Sequence, residues 1–235
     1  MNQTKMTVRI AGYSYLLIFL FGFFANFFVI ESLIIPGNAA TTTRNIISNE
    51  FLYRIGILSF VLMVILDALV AWALYILLKP VNKNISLLAA WLRIINCSIF
   101  GIALYSLINV LHLISSAEYL AAIEISWIES QIMLSINSFN STWLIGLVFF
   151  GVHLSVLGYL IYKSGYIPKI LGILLVIASL GYLIDSFANF LFSNYNDYKN
   201  IFTLVVVVPG IIGELSLTLW LLFKGTKMIQ LKREL

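Results

Sequence analysis

Residues 55–78 read IGILSFVLMVILDALVAWALYILL, an apolar run held between Arg54 and Lys79 and interrupted only by Asp67. At 1.5 Å per residue a helix of that length spans about 36 Å, more than the ~30 Å of hydrocarbon in a bilayer. The run shows neither the 3.6-residue stripe of a half-buried soluble helix nor the two-residue alternation of a strand. Its solvent is therefore lipid, and its single carboxylate needs an explanation.

Five further stretches have the same character. Residues 10–30 lie between Arg9 and Glu31. Residues 86–115 carry only Arg93, and residues 142–162 carry no Lys, Arg, Asp or Glu. Residues 168–192 open at Pro168 and hold Asp185, and residues 201–223 hold Glu214. The set predicts an all-α integral membrane protein, a bundle of six transmembrane helices forming one transmembrane domain over 1–235. Composition agrees, because 61% hydrophobic and 10% charged residues in a chain of 235 leave too few charges to coat a soluble globule. A spanning β-barrel would instead show short segments of alternating polarity. Lys5 and Arg9 precede the first run in the manner of a signal peptide, but its apolar core exceeds the roughly 7–15 residues of a signal sequence, so it reads as a helix.

Orientation follows from the basic residues. With the N-terminus inside, Lys5, Arg9, Lys79, Lys83, Arg93, Lys163, Lys169, Lys224, Lys227, Lys232 and Arg233 fall on the cytoplasmic side. Only Arg44, Arg54 and Lys199 fall outside. Glu31, Glu50, Glu118, Glu124, Glu129 and Asp197 collect on the outer side. Both termini are thus expected in the cytoplasm, in a multi-pass protein of the cytoplasmic membrane. The net charge of +4 marks membrane sidedness and no nucleic-acid partner; the partner implied is the lipid bilayer. The short connections 79–85 and 163–169 predict antiparallel hairpins. Residues 36–51 and 116–141, of mixed polarity, read as outer loops, with Thr41–Thr43 capping a short surface helix. Trp127 and Trp143 fit interfacial anchors.

In lipid, helices associate through small residues and polar bonds. Gly151, Ser155 and Gly158 form one such stripe; Ala178, Gly181, Asp185 and Ala188 a second; Gly210, Gly213 and Glu214 a third. On the third helix Arg93, Cys97, Gly101, Tyr105, Asn109 and His112 recur at steps of four and three. Cys97 is a lone thiol in an apolar run and reads as a packing residue.

An ionisable residue at the bilayer centre costs about 2.5–3.5 kcal/mol on insertion scales, so each needs a partner or a purpose. Counted from the cytoplasmic helix ends, Asp67, His153 and Glu214 each lie roughly 15 Å deep and Arg93 roughly 10 Å. These four residues are the candidates for a midplane polar pocket. In one reading His153 exchanges protons with Asp67 or Glu214, or the three hold a cation. In the other, Asp67 pairs with Arg93 across the hairpin and fixes the packing. Pro209 is expected to free the carbonyl of Val205, one turn from Glu214. Asp185, with Asn189 and Tyr182 as partners, and His112 are secondary candidates nearer the outer face.

No Gly-x-Ser-x-Gly elbow, His-Glu-x-x-His pair, phosphate-binding Gly-Lys-Ser/Thr or cysteine pair occurs. The sequence leaves cofactor, metal and protein partner open, and the polar pocket admits a small-molecule or ion ligand.

The chain resembles a bacterial family of multi-pass membrane proteins known as domain of unknown function 4386. The likeness rests on Leu33-Ile34-Ile35-Pro36-Gly37-Asn38-Ala39-Ala40 and on Asp67 through Trp72-Ala73-Leu74-Tyr75 to Leu78-Lys79-Pro80-Val81-Asn82. It continues in Phe149-Phe150-Gly151-Val152-His153-Leu154 and Tyr162-Lys163-Ser164-Gly165-Tyr166-Ile167-Pro168. Gly181-Tyr182-Leu183-Ile184-Asp185-Ser186-Phe187, Val208-Pro209 and Glu214 complete it. Asn38 stands where the outer-loop motif leads one to expect Asp. The resemblance implies a multi-pass membrane protein and supplies no catalytic residues, substrate or cofactor. Three functions remain open: binding or moving a small solute, ion or proton through the polar pocket; an accessory or structural role in which the polar pairs fix helix register; and an intramembrane enzyme acting on lipid. The absence of catalytic signatures weighs against an enzyme.

Overall fold

The computed structural model describes residues 3–116 and 124–225. Glu118, Lys227, Lys232 and Arg233, used above for orientation, lie outside the described residues. Seven helices occur within them: α1 (Gln3–Phe23), α2 (Ala39–Ser48), α3 (Glu50–Leu78), α4 (Lys83–Ser116), α5 (Ile125–Ser164), α6 (Lys169–Leu191) and α7 (Tyr195–Trp220). A π-helical stretch, Phe24–Ile30, and one further turn, Glu31–Leu33, extend α1, and a second π-helical stretch, Leu221–Gly225, extends α7. All but α2 are long and apolar enough to cross a bilayer.

Several helices outrun their apolar cores. α5 starts at Ile125, where mixed polarity predicts an outer loop reaching residue 141 and a helix only from about 142. Residues 125–141 place Ile128, Ile132, Ile136 and Phe139 at steps of four and three, and all four are buried. Mixed polarity here is the pattern of an amphipathic helix. α7 likewise starts at Tyr195 rather than near residue 201.

The short surface helix is present as α2, but its cap is Asn38 rather than a threonine: Asn38 Oδ1 accepts from the Thr41 amide at 2.9 Å. The Thr42 hydroxyl instead accepts from the Ile35 amide at 2.9 Å and donates to the Ile35 carbonyl at 3.2 Å. Gly37, at φ +75°, supplies the left-handed residue that this reversal needs.

The chain groups into two compact units. One comprises residues 18–65 and 98–143. There Val29, on the π-helical stretch, fills the gap over Gly56 of α3, and the Tyr53 hydroxyl donates to the Leu107 carbonyl of α4 at 3.2 Å. Trp143 stacks on Phe100 at 3.6 Å between ring centres and also meets Phe60 and Phe139. Trp143 is thus half-buried among these rings, whereas Trp127 is exposed.

The other unit comprises, among the described residues, 3–17, 66–97 and 144–225. The α3–α4 hairpin is closed by the Ser86 hydroxyl donating to the Tyr75 carbonyl at 3.2 Å. The Tyr166 hydroxyl donates to the Leu77 carbonyl at 2.6 Å, satisfying an acceptor at the C-terminal end of α3 that has no partner within the helix.

α5 and α6 approach backbone to backbone: a Cβ on Gly158 would lie 2.6 Å from the Gly172 carbonyl oxygen, and one on Gly172 would lie 2.5 Å from that of Gly158. Ser155 and Ser179 bond at 2.6 Å, and the Ser179 hydroxyl donates to the Gly151 carbonyl at 2.7 Å. Gly181 of α6 abuts the carbonyl of Val205 on α7, the group that Pro209 deprives of its helical donor. The α6–α7 contact therefore sits where the proline opens the helix.

A branched residue at the Gly158 crossing should force α5 and α6 apart. Gly158→Val is expected to lower the melting temperature in detergent, a loss of at least about 1–3 kcal/mol. Gly101→Ala, where the added Cβ meets nothing within 4 Å, should be neutral or gain up to ~1 kcal/mol. Equal melting temperatures for the two variants would show that the crossing is looser than described.

Candidate functional site

Four helices of the second unit deliver one polar side chain each to a common point: Tyr15 from α1, Asp67 from α3, Arg93 from α4 and His153 from α5. Asp67 is 3% exposed and Arg93 and His153 are each 1% exposed, so any charge here must be balanced by the protein itself. Arg93 performs that balance. Its Nε donates to Asp67 Oδ1 at 3.1 Å, and Nη2 makes a second, shorter bond to the same oxygen. Nη1 donates to the Tyr15 hydroxyl at 2.9 Å and meets His153 Nε2 at 3.2 Å.

The two contacts of His153 fix its tautomer. Nδ1 lies 2.8 Å from the Ala89 carbonyl, which can only accept, so Nδ1 carries the proton. The lone pair of Nε2 is then free to accept from Arg93 Nη1. The guanidinium also lies 4.9 Å from the centre of the Tyr15 ring and 5.3 Å from that of Phe150, within cation–π range. The result is a neutral cluster in which every nitrogen of Arg93 has a partner.

Glu214 shares no hydrogen bond with Arg93. Its Oε1 accepts from the Tyr182 hydroxyl at 3.0 Å, and Gly210, one turn earlier on α7, leaves room for that hydroxyl. Tyr182 meets Phe150 edge-on at 5.3 Å, and Phe150 in turn stacks at 6.0 Å on His153. Phe150 thus touches both His153 of the Arg93 cluster and Tyr182 of the Tyr182–Glu214 pair. Among the described residues the two ion pairs are Arg93–Asp67 and the exposed Arg54–Glu50, so Glu214 has no cationic neighbour in contact.

These positions revise several sequence expectations. His153 faces Arg93 and a backbone carbonyl, not a carboxylate, because the long Arg93 side chain rises from a shallower turn and takes the space between His153 and Asp67. Asp67, His153 and Glu214 do not form a three-ligand set, and among the described residues no group of three His, Cys, Asp or Glu comes together.

Asp185 accepts from the Tyr195 hydroxyl at 2.6 Å, while Tyr182, expected beside it, serves Glu214. Asn189 and His112 are exposed. The polar series on α4 leaves the core at Gly101 and Tyr105, because each step of four overshoots a full turn by roughly 40°. The buried face instead runs through Ala89, Arg93, Asn96, Phe100 and Leu107.

Sequence reasoning missed Tyr15 and Asn96 and gave Tyr182 to Asp185 instead of Glu214. Tyr15 is a tyrosine within an apolar run, where the residue type alone points to no partner, although it lies on the same face as buried Ala11 and Val8. Asn96 is fully buried with no hydrogen-bond partner for either side-chain polar atom. Its signal was the spacing of three from Arg93.

Removing Arg93 would strand a buried carboxylate. Arg93→Ala is expected to cost about 3–5 kcal/mol. Asp67→Asn combined with Arg93→Gln, which removes both charges, should recover much of that loss in a detergent unfolding series. If the double variant is no more stable than Arg93→Ala, the ion pair is not what Arg93 contributes.

The family described as domain of unknown function (DUF4386) has a model that matches residues 10–225. An uncharacterized protein of Archaeoglobus fulgidus is 38% identical over 173 residues, covering 74% of this chain and 85% of its own length. No solved structure matches the chain.

Proposed function

The chain belongs to the DUF4386 family, and from that premise we propose that it binds or moves a proton or small solute at Glu214 and Tyr182, with the Arg93 cluster as the scaffold. The observation that carries this reading is the contrast between two carboxylates in spanning helices. Asp67 is neutralised by Arg93, whereas Glu214 touches only a neutral phenol. A carboxylate in that setting is neutralised by taking up a proton or by meeting a cationic guest, and either event is an exchange with something outside the protein. Pro209 and the glycines at 210 and 213 shape the same turns of α7, where an interrupted backbone in a spanning helix commonly borders a binding site.

The closure of the Arg93 cluster supports a structural role for that part of the set. Its bonds join α1, α3, α4 and α5 and engage every nitrogen of Arg93. Register fixing, the accessory reading of the sequence, thus describes Arg93, Asp67, Tyr15 and His153, while exchange is assigned to Glu214. The distribution of Lys and Arg supports placing both termini in the cytoplasm and the protein in the cytoplasmic membrane.

Reconstitution in vesicles under a clamped pH gradient tests the assignment. The wild type should carry protons. Glu214→Gln should reduce the flux at least tenfold at an unchanged melting temperature, and Tyr182→Phe should reduce it less. A wild type without flux, or a Glu214→Gln variant with full flux, overturns it.

A further inference from the structure

Gly181 of α6 abuts Val205 of α7, and a Cβ on Gly213 of α7 would lie 3.1 Å from the Leu174 carbonyl oxygen of α6. The two helices therefore run antiparallel, and the start of α6 lies beside the end of α7. One turn beyond the Gly213 contact, at Leu171 and Ser216, they border an open groove of about 320 Å³, lined further by Ile170, Leu219, Phe223 and Lys224. That volume falls within the roughly 300–1,000 Å³ of small-molecule sites. It has room for a guest, as the packed crossings of this unit do not.

The groove is apolar along its length and cationic at one end. Ile170, Leu219 and Phe223 are exposed, Phe223 by 77%. The apolar run of α7 stops at Phe223, and Lys224 follows it, so the rim of the groove lies where hydrocarbon gives way to headgroups. Lys169 stands between the lining residues Pro168 and Ile170, with its Nζ 5.2 Å from the centre of the Tyr162 ring. Residues 163–171 and 216–224 carry Lys163, Lys169 and Lys224 and no Asp or Glu. Among the described residues neither Lys169 nor Lys224 forms an ion pair. Their charge is thus left for something outside the protein to match.

We propose that this groove binds an anionic phospholipid, with an acyl chain along Leu171, Leu219 and Phe223 and the phosphate at Lys224 and Lys169. Lipid follows from the setting, because an apolar groove open on the side of spanning helices is filled by the surrounding hydrocarbon chains. The anionic headgroup follows from charge complementarity, since a zwitterionic lipid brings its own cation to the same rim. Both lysines lie on the side assigned to the cytoplasm. Ser216 projects about 200° round α7 from Glu214, so the site does not depend on the exchange assigned there.

Native mass spectrometry of the full chain in detergent, with phosphatidylglycerol and phosphatidylcholine of the same chains, tests the proposal. The wild type should retain phosphatidylglycerol at least about fivefold more. Lys169→Gln combined with Lys224→Gln alters only exposed side chains, so it should keep the melting temperature and lose the preference. Ser216→Trp, which fills the groove and leaves both lysines in place, should also reduce retention. Inorganic phosphate in excess carries the charge without the chain and should not displace the lipid. Equal retention of the two lipids by the wild type overturns the proposal, as does an unchanged preference in the double lysine variant. Full retention by Ser216→Trp, or displacement by phosphate alone, would show that the groove holds no acyl chain and overturns it equally.

Discussion

The side chain of Arg93 is the constraint on which the second unit depends. A guanidinium that is 1% exposed inside an apolar bundle is tolerated only if its charge and its donors are met, and the protein meets them from four helices at once. Asp67 supplies the opposite charge, Tyr15 and His153 supply neutral acceptors, and the Tyr15 and Phe150 rings cover its faces. Apolar contact offers little preference for one helix register over another in lipid, because the lipid tails are equally apolar. Directional bonds to Arg93 do set register, since sliding α3 or α5 by one residue would break them.

The remaining contacts in that unit work at shorter range. Gly158 and Gly172 let α5 and α6 touch through their backbones, the two serines bond across the same interface, and Gly181 closes on the carbonyl freed by Pro209. Each substitutes close approach or a hydrogen bond for the hydrophobic driving force that lipid removes. Glu214 makes none of the Arg93 hydrogen bonds and is held instead by the Tyr182 hydroxyl. A closed cluster and a singly partnered acid differ in kind: the bonds of Arg93 join four helices, whereas Glu214 is the group to which the proposed exchange is assigned.

Much of this was legible in the sequence, and the limits have physical causes. Continuous apolar runs announce spanning helices because lipid leaves no alternation to read, so the six spans and the small-residue stripes at Gly151, Ser155 and Gly158 were visible. The start of α5 was hidden because Ile128, Ile132, Ile136 and Phe139 sit among polar residues that face away from them. Depth along a helix gave Asp67, His153 and Glu214 a common level, but contact also requires direction. Arg93, assigned a shallower level, reaches the group because its side chain is long. Asn96 stayed unseen for the opposite reason: it is short and uncharged.

The protonation pattern of the His153 ring tests this arrangement most directly, because it reports both contacts that hold the ring. Nitrogen NMR of the protein labelled at histidine, with His112→Asn to remove the second signal, reads that pattern. The account predicts a single neutral tautomer with the proton on Nδ1 and a bare, hydrogen-bonded Nε2 facing Arg93. A proton on Nε2, alone or together with one on Nδ1, would place a donor against the guanidinium and contradict the cluster at its centre.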